Sequence, residues 1–160
     1  MGRYCSGLNK AFLSEGTMEK YSEDIERMIV LKSIDIFKEL NLEELYQVLK
    51  IVKYRRSKKG ECIVKKGEIS SKFYIVLEGA VGIVGDENAQ YTSEIVNGGI
   101  FGELSIVDKM QETATIKALD DTLLLEFDNH EFAGLLAKYG TLAFAIAKTL
   151  SNRLIQVLEG

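Results

Sequence analysis

The 160-residue chain has no proline, a single histidine (His130) and two cysteines, Cys5 and Cys62. Each scarcity excludes something. Without proline, every turn has to be made by Gly, Asn, Asp or Ser, so the glycines at 60, 67, 79, 85, 98, 99 and 102 mark the ends of hairpins. Two cysteines far apart, without metal-type spacing, exclude a disulfide framework and a zinc site and point to a reducing compartment. One histidine leaves no cluster of imidazole ligands, so no metal site is expected. The longest uncharged runs reach about half of the ~18–20 residues that a membrane span needs. Met1 to Lys20 holds no continuous apolar block, so no secretory signal is expected. Positive charge is not in excess either. The net charge is −4, which argues against a general nucleic-acid binder, because phosphate affinity needs a basic face.

What is present is a change of period along the chain. Residues 1–17 are polar with Gly and Ser and read as a flexible tail; residues 18–160 read as a single domain. From Met18 to about Leu31 the apolar residues Met18, Tyr21, Ile25, Met28 and Ile29 recur at three- and four-residue steps, as in an amphipathic helix. Ile34, Ile36 and Phe37 grip a short connection. Asn41 with Glu44 forms a capping-box pair, ahead of a helix whose buried stripe is Leu42, Leu45, Val48 and Leu49. From Ile51 the pattern is short strands every eight to twelve residues: 51–55, 61–65, 73–77, 81–84, 91–96, 113–118 and 123–127. The helical period then returns. Asp128 with Glu131 caps a helix bearing Phe132, Leu135 and Leu136, and a last helix runs from about Thr141 to Leu158. The expected fold is α+β: an antiparallel β-roll (double-stranded β-helix or jelly roll) over about 51–127, with N-terminal helices and two C-terminal helices over about 129–158.

Four stretches, in order, carry a resemblance. They are Ile36-Phe37 with Leu42–Leu49; "KKGECIVKKGEISSKFYIVLEGAVGIV", Lys58–Val84; "GGIFGELSI", Gly98–Ile106, with "ATIKA", Ala114–Ala118; and "LLLEFDNHEF", Leu123–Phe132. Together they make the chain similar to the cyclic-nucleotide-binding domain of catabolite-activator-type regulators, protein kinase A regulatory subunits and nucleotide-gated channels. In that family the loop after Phe-Gly-Glu is a phosphate-binding cassette. The resemblance implies a ligand site at Phe101, Gly102, Glu103, Leu104 and Ser105. Gly102 would allow close backbone approach, Glu103 would accept from the ribose hydroxyl, and Leu104 and Ser105 would start a short helix whose free N–H groups face an anion.

One part of the cassette departs from the family pattern. An arginine should form two charge-assisted bonds to the cyclic phosphate. Gap-free matching puts Glu112 in its place, and a shift of one residue puts Thr113 there. Losing the buried partner of an anion costs roughly 2–5 kcal/mol, and a carboxylate adds repulsion at short range. The expected function is therefore a non-enzymatic regulatory or interaction module whose pocket does not hold a cyclic nucleotide in the usual way. No cofactor is expected. The alternative is a functional cyclic AMP or cyclic GMP sensor that uses Lys109, three residues before Glu112, as a point charge together with backbone amides.

The remaining features read more plainly. Lys53 to Lys59 is a basic run, read as a solvated strand end and turn. His130 lies in the first turn of a capped helix, and Cys62 reads as a small core hydrophobe. The single histidine also excludes a metal-dependent cupin enzyme, which shares the roll shape. No nucleophile–base pair is visible, so no catalytic residue is expected. The last helix is apolar over a wide arc, so Ile146, Leu150, Leu154, Val157 and Leu158 are candidates for pairing with a protein partner or a second copy. The regulators it resembles continue into a DNA-binding motif after this helix. This chain stops at Gly160, so no nucleic-acid contact is expected from it alone. A cytoplasmic location follows from these readings. The start Met1-Gly2-Arg3-Tyr4-Cys5-Ser6 formally fits lipidation at Gly2 and Cys5, against the simpler reading of an ordinary start.

Overall fold

The computed structural model describes residues 15–85 and 90–160. Residues 15–17, read as part of the tail, belong to helix α1, Glu15–Lys32. Residues 1–14, including Gly2 and Cys5, lie outside the described residues. Helix α2, Leu42–Ile51, begins at the expected capping box, in which Asn41 Oδ1 accepts from Glu44 N and Glu44 Oε2 accepts from Asn41 N, each at 2.9 Å. Of its expected stripe, Leu45 and Val48 are buried and Leu49 packs on the core, but Leu42 is 74% exposed. The stripe of α1 is open as well. Leu31 is its buried residue, while Tyr21, Ile25 and Ile29 face outward.

Among the described residues eight strands follow: β1 Lys53–Ser57, β2 Cys62–Val64, β3 Lys72–Glu78, β4 Val81–Val84, β5 Tyr91–Ile95, β6 Ile100–Phe101, β7 Thr115–Ala118 and β8 Thr122–Asp128. They pair antiparallel in two four-stranded sheets, β1-β8-β3-β6 and β2-β7-β4-β5. This corrects the expected closed β-roll or jelly roll. Each sheet keeps two open edges, and among the described residues no ladder joins one sheet to the other. The reason lies at the turns. Consecutive strands in each of the pairs β1/β2, β3/β4, β5/β6 and β7/β8 belong to opposite sheets. The chain therefore crosses between layers at these turns, and only β4 and β5, among the described strands, are consecutive partners in one ladder. At Gly79 the crossing needs a left-handed backbone, φ 89°, and a Cβ there would sit 2.7 Å from the Asp121 carbonyl oxygen.

Period-two alternation then builds two cores. Phe73 and Ile75 of β3, with Leu125 and Phe127 of β8, face the helices and meet Phe37, Leu45, Phe132 and Leu142. The rings of Phe73 and Phe127 stack 4.8 Å apart, and Phe132 meets Phe73 edge-on at 4.6 Å. The alternate residues Tyr74, Val76 and Leu124 face the second sheet and pack with Ile63, Val64, Val81 and Ile116. The basic run of β1 is split by the same alternation. Arg55 reaches inward, donating to Tyr74 Oη at 3.1 Å and pairing with Glu61 and Glu126, while Lys53 and Arg56 remain exposed. Lys72 Nζ lies 2.7 Å from Glu126, and that bond raises the ammonium above its usual range.

Helix α3, Asn129–Lys138, is capped as expected by Asp128, which accepts from Glu131 N at 3.0 Å. Helix α4, Gly140–Glu159, returns across the molecule. His130 is exposed on the first turn of α3. Cys62 is exposed on β2, not buried as read, because Ile63 and Val64 take the core-facing places. Among the described residues no helix is long and apolar enough to cross a membrane.

Candidate functional site

Strand β6 is two residues long and ends at Phe101, after which Gly102 turns left-handed, φ 81°. A Cβ at Gly102 would lie 2.9 Å from the Lys72 carbonyl oxygen, so close approach to β3 requires glycine there. Residues Glu103–Ile106 form one 3-10 turn. Ser105 Oγ donates to the Gly102 carbonyl at 2.8 Å and accepts from Asn129 Nδ2 at 2.5 Å, which stitches this turn to the start of α3. The loop that follows is anchored at its far end. Glu112 N donates to the Glu68 carbonyl and Gly67 N donates to the Glu112 carbonyl, both at 2.8 Å.

The turn and the loop enclose a cavity of about 190 Å³. Phe101, Gly102, Glu103, Leu104, Ser105, Glu112 and Thr113 all line it, so seven of the eight residues expected at the site come together. Lys109, the eighth, is exposed and is not among the lining residues. Ile83, Ile95, Ile100 and Ile116 supply apolar walls, and Phe101 stacks on Tyr74 at 5.1 Å.

A residue missed from sequence completes the lining: Arg153 of α4. Its guanidinium pairs through Nη1 with the carboxylate of Glu103 and donates through Nη2 to the Ile100 carbonyl. Glu103 is 9% exposed, and burial lowers Arg153 from its usual range. A signal for Arg153 was present. It follows Ile146 and Leu150 at helical spacing and so belongs to the inward face of α4. Ile146 is buried and Leu150 packs on the helix-facing core, whereas Leu154, Val157 and Leu158 are exposed. Only the last three candidates for pairing are therefore free of the chain's own core.

Glu112 is in a different state. Its Oε1 is buried without a hydrogen-bond partner. Burial pushes its carboxyl above the ordinary carboxylate range, and a hydrogen bond to Ser70 offsets part of that. Two carboxylates and one guanidinium thus face one small, largely apolar space.

The cyclic nucleotide-binding domain family matches residues 54–139, more than half of the chain. The chain belongs to that family. The matched region covers the strands, the cassette and α3 but ends before Arg153. A putative potassium channel protein of Rhodopseudomonas palustris is 26% identical over 121 residues, covering 75% of this chain and 29% of the channel protein. The cAMP-dependent protein kinase type II regulatory subunit of Drosophila melanogaster is 28% identical over 108 residues, covering 68% of this chain and 28% of that subunit. The chain therefore spans less than a third of either relative. Among solved structures, the regulatory subunit of a cAMP-independent protein kinase A from Trypanosoma brucei superposes with a TM-score of 0.67 at 24% identity, covering 79% of this chain and 48% of that one. The fold is thus shared with that subunit.

Proposed function

We propose that this domain is a regulatory or protein-interaction module that does not bind cyclic nucleotides through the family's phosphate contact. The reading is carried by Glu112, a carboxylate that gap-free matching sets where the cassette needs a cation and that lines the cavity while its Oε1 is buried without a partner. A cyclic phosphate placed there would meet like charge in a low-dielectric space. Glu103, the residue that would accept from a ribose hydroxyl, is already engaged by Arg153. At about 190 Å³ the cavity is also smaller than the roughly 300–1,000 Å³ of ordinary small-molecule sites. Lys109 lies outside the lining, so nothing favours the sensor reading that depends on it.

The regulatory role rests on the connection from cassette to last helix. Whatever engages Glu103 competes with Arg153 and so acts on α4. Calorimetry with cyclic AMP and cyclic GMP tests the reading. The wild-type protein is expected to give no saturable heat in the micromolar range, and Glu112→Arg is expected to gain saturable binding. Micromolar binding by the wild type would overturn the proposal.

A further inference from the structure

Resting on that reading of the pocket, we infer that the cavity beside Glu103 and Glu112 is a receptor for a small organic cation, an amine or amidine on a compact apolar body, which takes the place Arg153 now holds. Its lining residues carry three acceptors, the Glu103 carboxylate, the Ile100 carbonyl oxygen and Oε1 of Glu112, beside the hydroxyls of Ser105 and Thr113 and the amide of Gln111. The first two already receive N–H donors from a guanidinium, so the chain itself supplies an example of the group that fits. The third has no partner, although it is buried. A buried acceptor left unpaired is costly, and a donor-bearing guest would relieve it.

Charge points the same way. With Glu103, Glu112 and Arg153 ionised, the lining carries two negative charges against one positive. With Arg153 displaced, a monocation cuts the two negative charges to one and an anion worsens the imbalance. The walls Ile83, Ile95, Phe101 and Ile116 suit an apolar body rather than a hydrated ion. The volume, about 190 Å³, equals roughly six water molecules at about 30 Å³ each, enough for a single ring with its charged group. Arg153 also has somewhere to go. It lines a neighbouring groove of about 590 Å³ that α4 shares with Asp35, Ile36 and Glu39. Entry of the cation would move the guanidinium from one space to the other.

Benzamidine is a suitable probe, because its planar amidinium presents a donor pair to a carboxylate and carries one ring. Benzamide and benzoate keep the shape and change the charge. The full chain would be titrated with each by NMR chemical-shift mapping and calorimetry. Benzamidine is expected to saturate with shifts at Phe101, Glu103 and Ile116, and the other two are expected to bind about tenfold more weakly or not at all. Glu112→Gln should weaken benzamidine about tenfold. Arg153→Ala should tighten it about tenfold, since the competing intramolecular cation is gone. If Arg153→Ala does not fold, Arg153→Gln keeps the aliphatic stem without the charge and carries the same prediction. Equal binding of benzamidine and benzoate, or a benzamidine affinity unmoved by Glu112→Gln, would overturn the inference. Cyclic AMP titrated alongside separates the two proposals. Its saturation removes the functional reading, whereas silence of both compounds removes only the cation receptor.

Discussion

The guanidinium of Arg153 sits on the carboxylate of Glu103, joining the last helix to the turn after Phe101 across fifty residues of sequence. Glu103 is buried and Arg153 is half-buried, so this pair is shielded from solvent more than a surface pair would be. Arg153→Ala and Glu103→Gln should each lower stability by about 1–3 kcal/mol, the range for hydrogen bonds to charged groups. Their double mutant should lose less than the sum. Urea unfolding measures the energies, and hydrogen exchange along 140–159 should rise in both variants if the pair ties α4 down. Strict additivity would show that the two side chains act independently.

Glu112 sets a pH dependence. Burial raises its carboxyl, so the folded state favours the neutral acid. The associated stability is fully present below the unfolded value near 4.5 and is lost as pH rises through the folded value. Glu112→Gln keeps the neutral shape at every pH. Its melting temperature should exceed that of the wild type at pH 7, and the gap should close as pH falls below about 4. A gap that persists or widens in acid would show that the carboxylate is not the source of the cost.

Gly102 tests the geometry of the turn. Its left-handed backbone and its 2.9 Å clearance to the Lys72 carbonyl leave no room for a methyl group. Gly102→Ala should cost about 1–3 kcal/mol from backbone strain, with the largest NMR shifts at Phe73 and in 103–106. Gly60 has a similar φ of 87° but open space around it, so Gly60→Ala should cost less.

The helix-facing core hinges on three rings, Phe73, Phe127 and Phe132. Phe73 is fully buried, so Phe73→Ala should destabilise by about 3–5 kcal/mol. Phe144, 69% exposed on α4, is the contrasting site. Its replacement by Ala should change chemical-denaturation midpoints little.

Much of the architecture is local and therefore legible in the chain. The capping box at Asn41 and the N-cap at Asp128 are hydrogen bonds over three residues, and both formed where the spacing placed them. Seven strands overlap the positions read from alternation and glycines, whereas Ile51 belongs to α2 rather than to β1, and the two-residue β6 is too short to show an alternation. The cassette residues lie close together in sequence, and seven of the eight reached one cavity.

What the sequence by itself determined is the set of elements, their caps and the family likeness. Tertiary structure alone decided which sheet each strand joined and left those sheets open, because a turn signal does not say to which layer the chain crosses. It also left Leu42 and the α1 stripe exposed, since periodicity marks an apolar face without supplying something to cover it. And it brought Arg153, rather than Lys109, to Glu103. That pairing depends on how α4 packs over the sheets, a nonlocal outcome that no spacing within the cassette loop encodes.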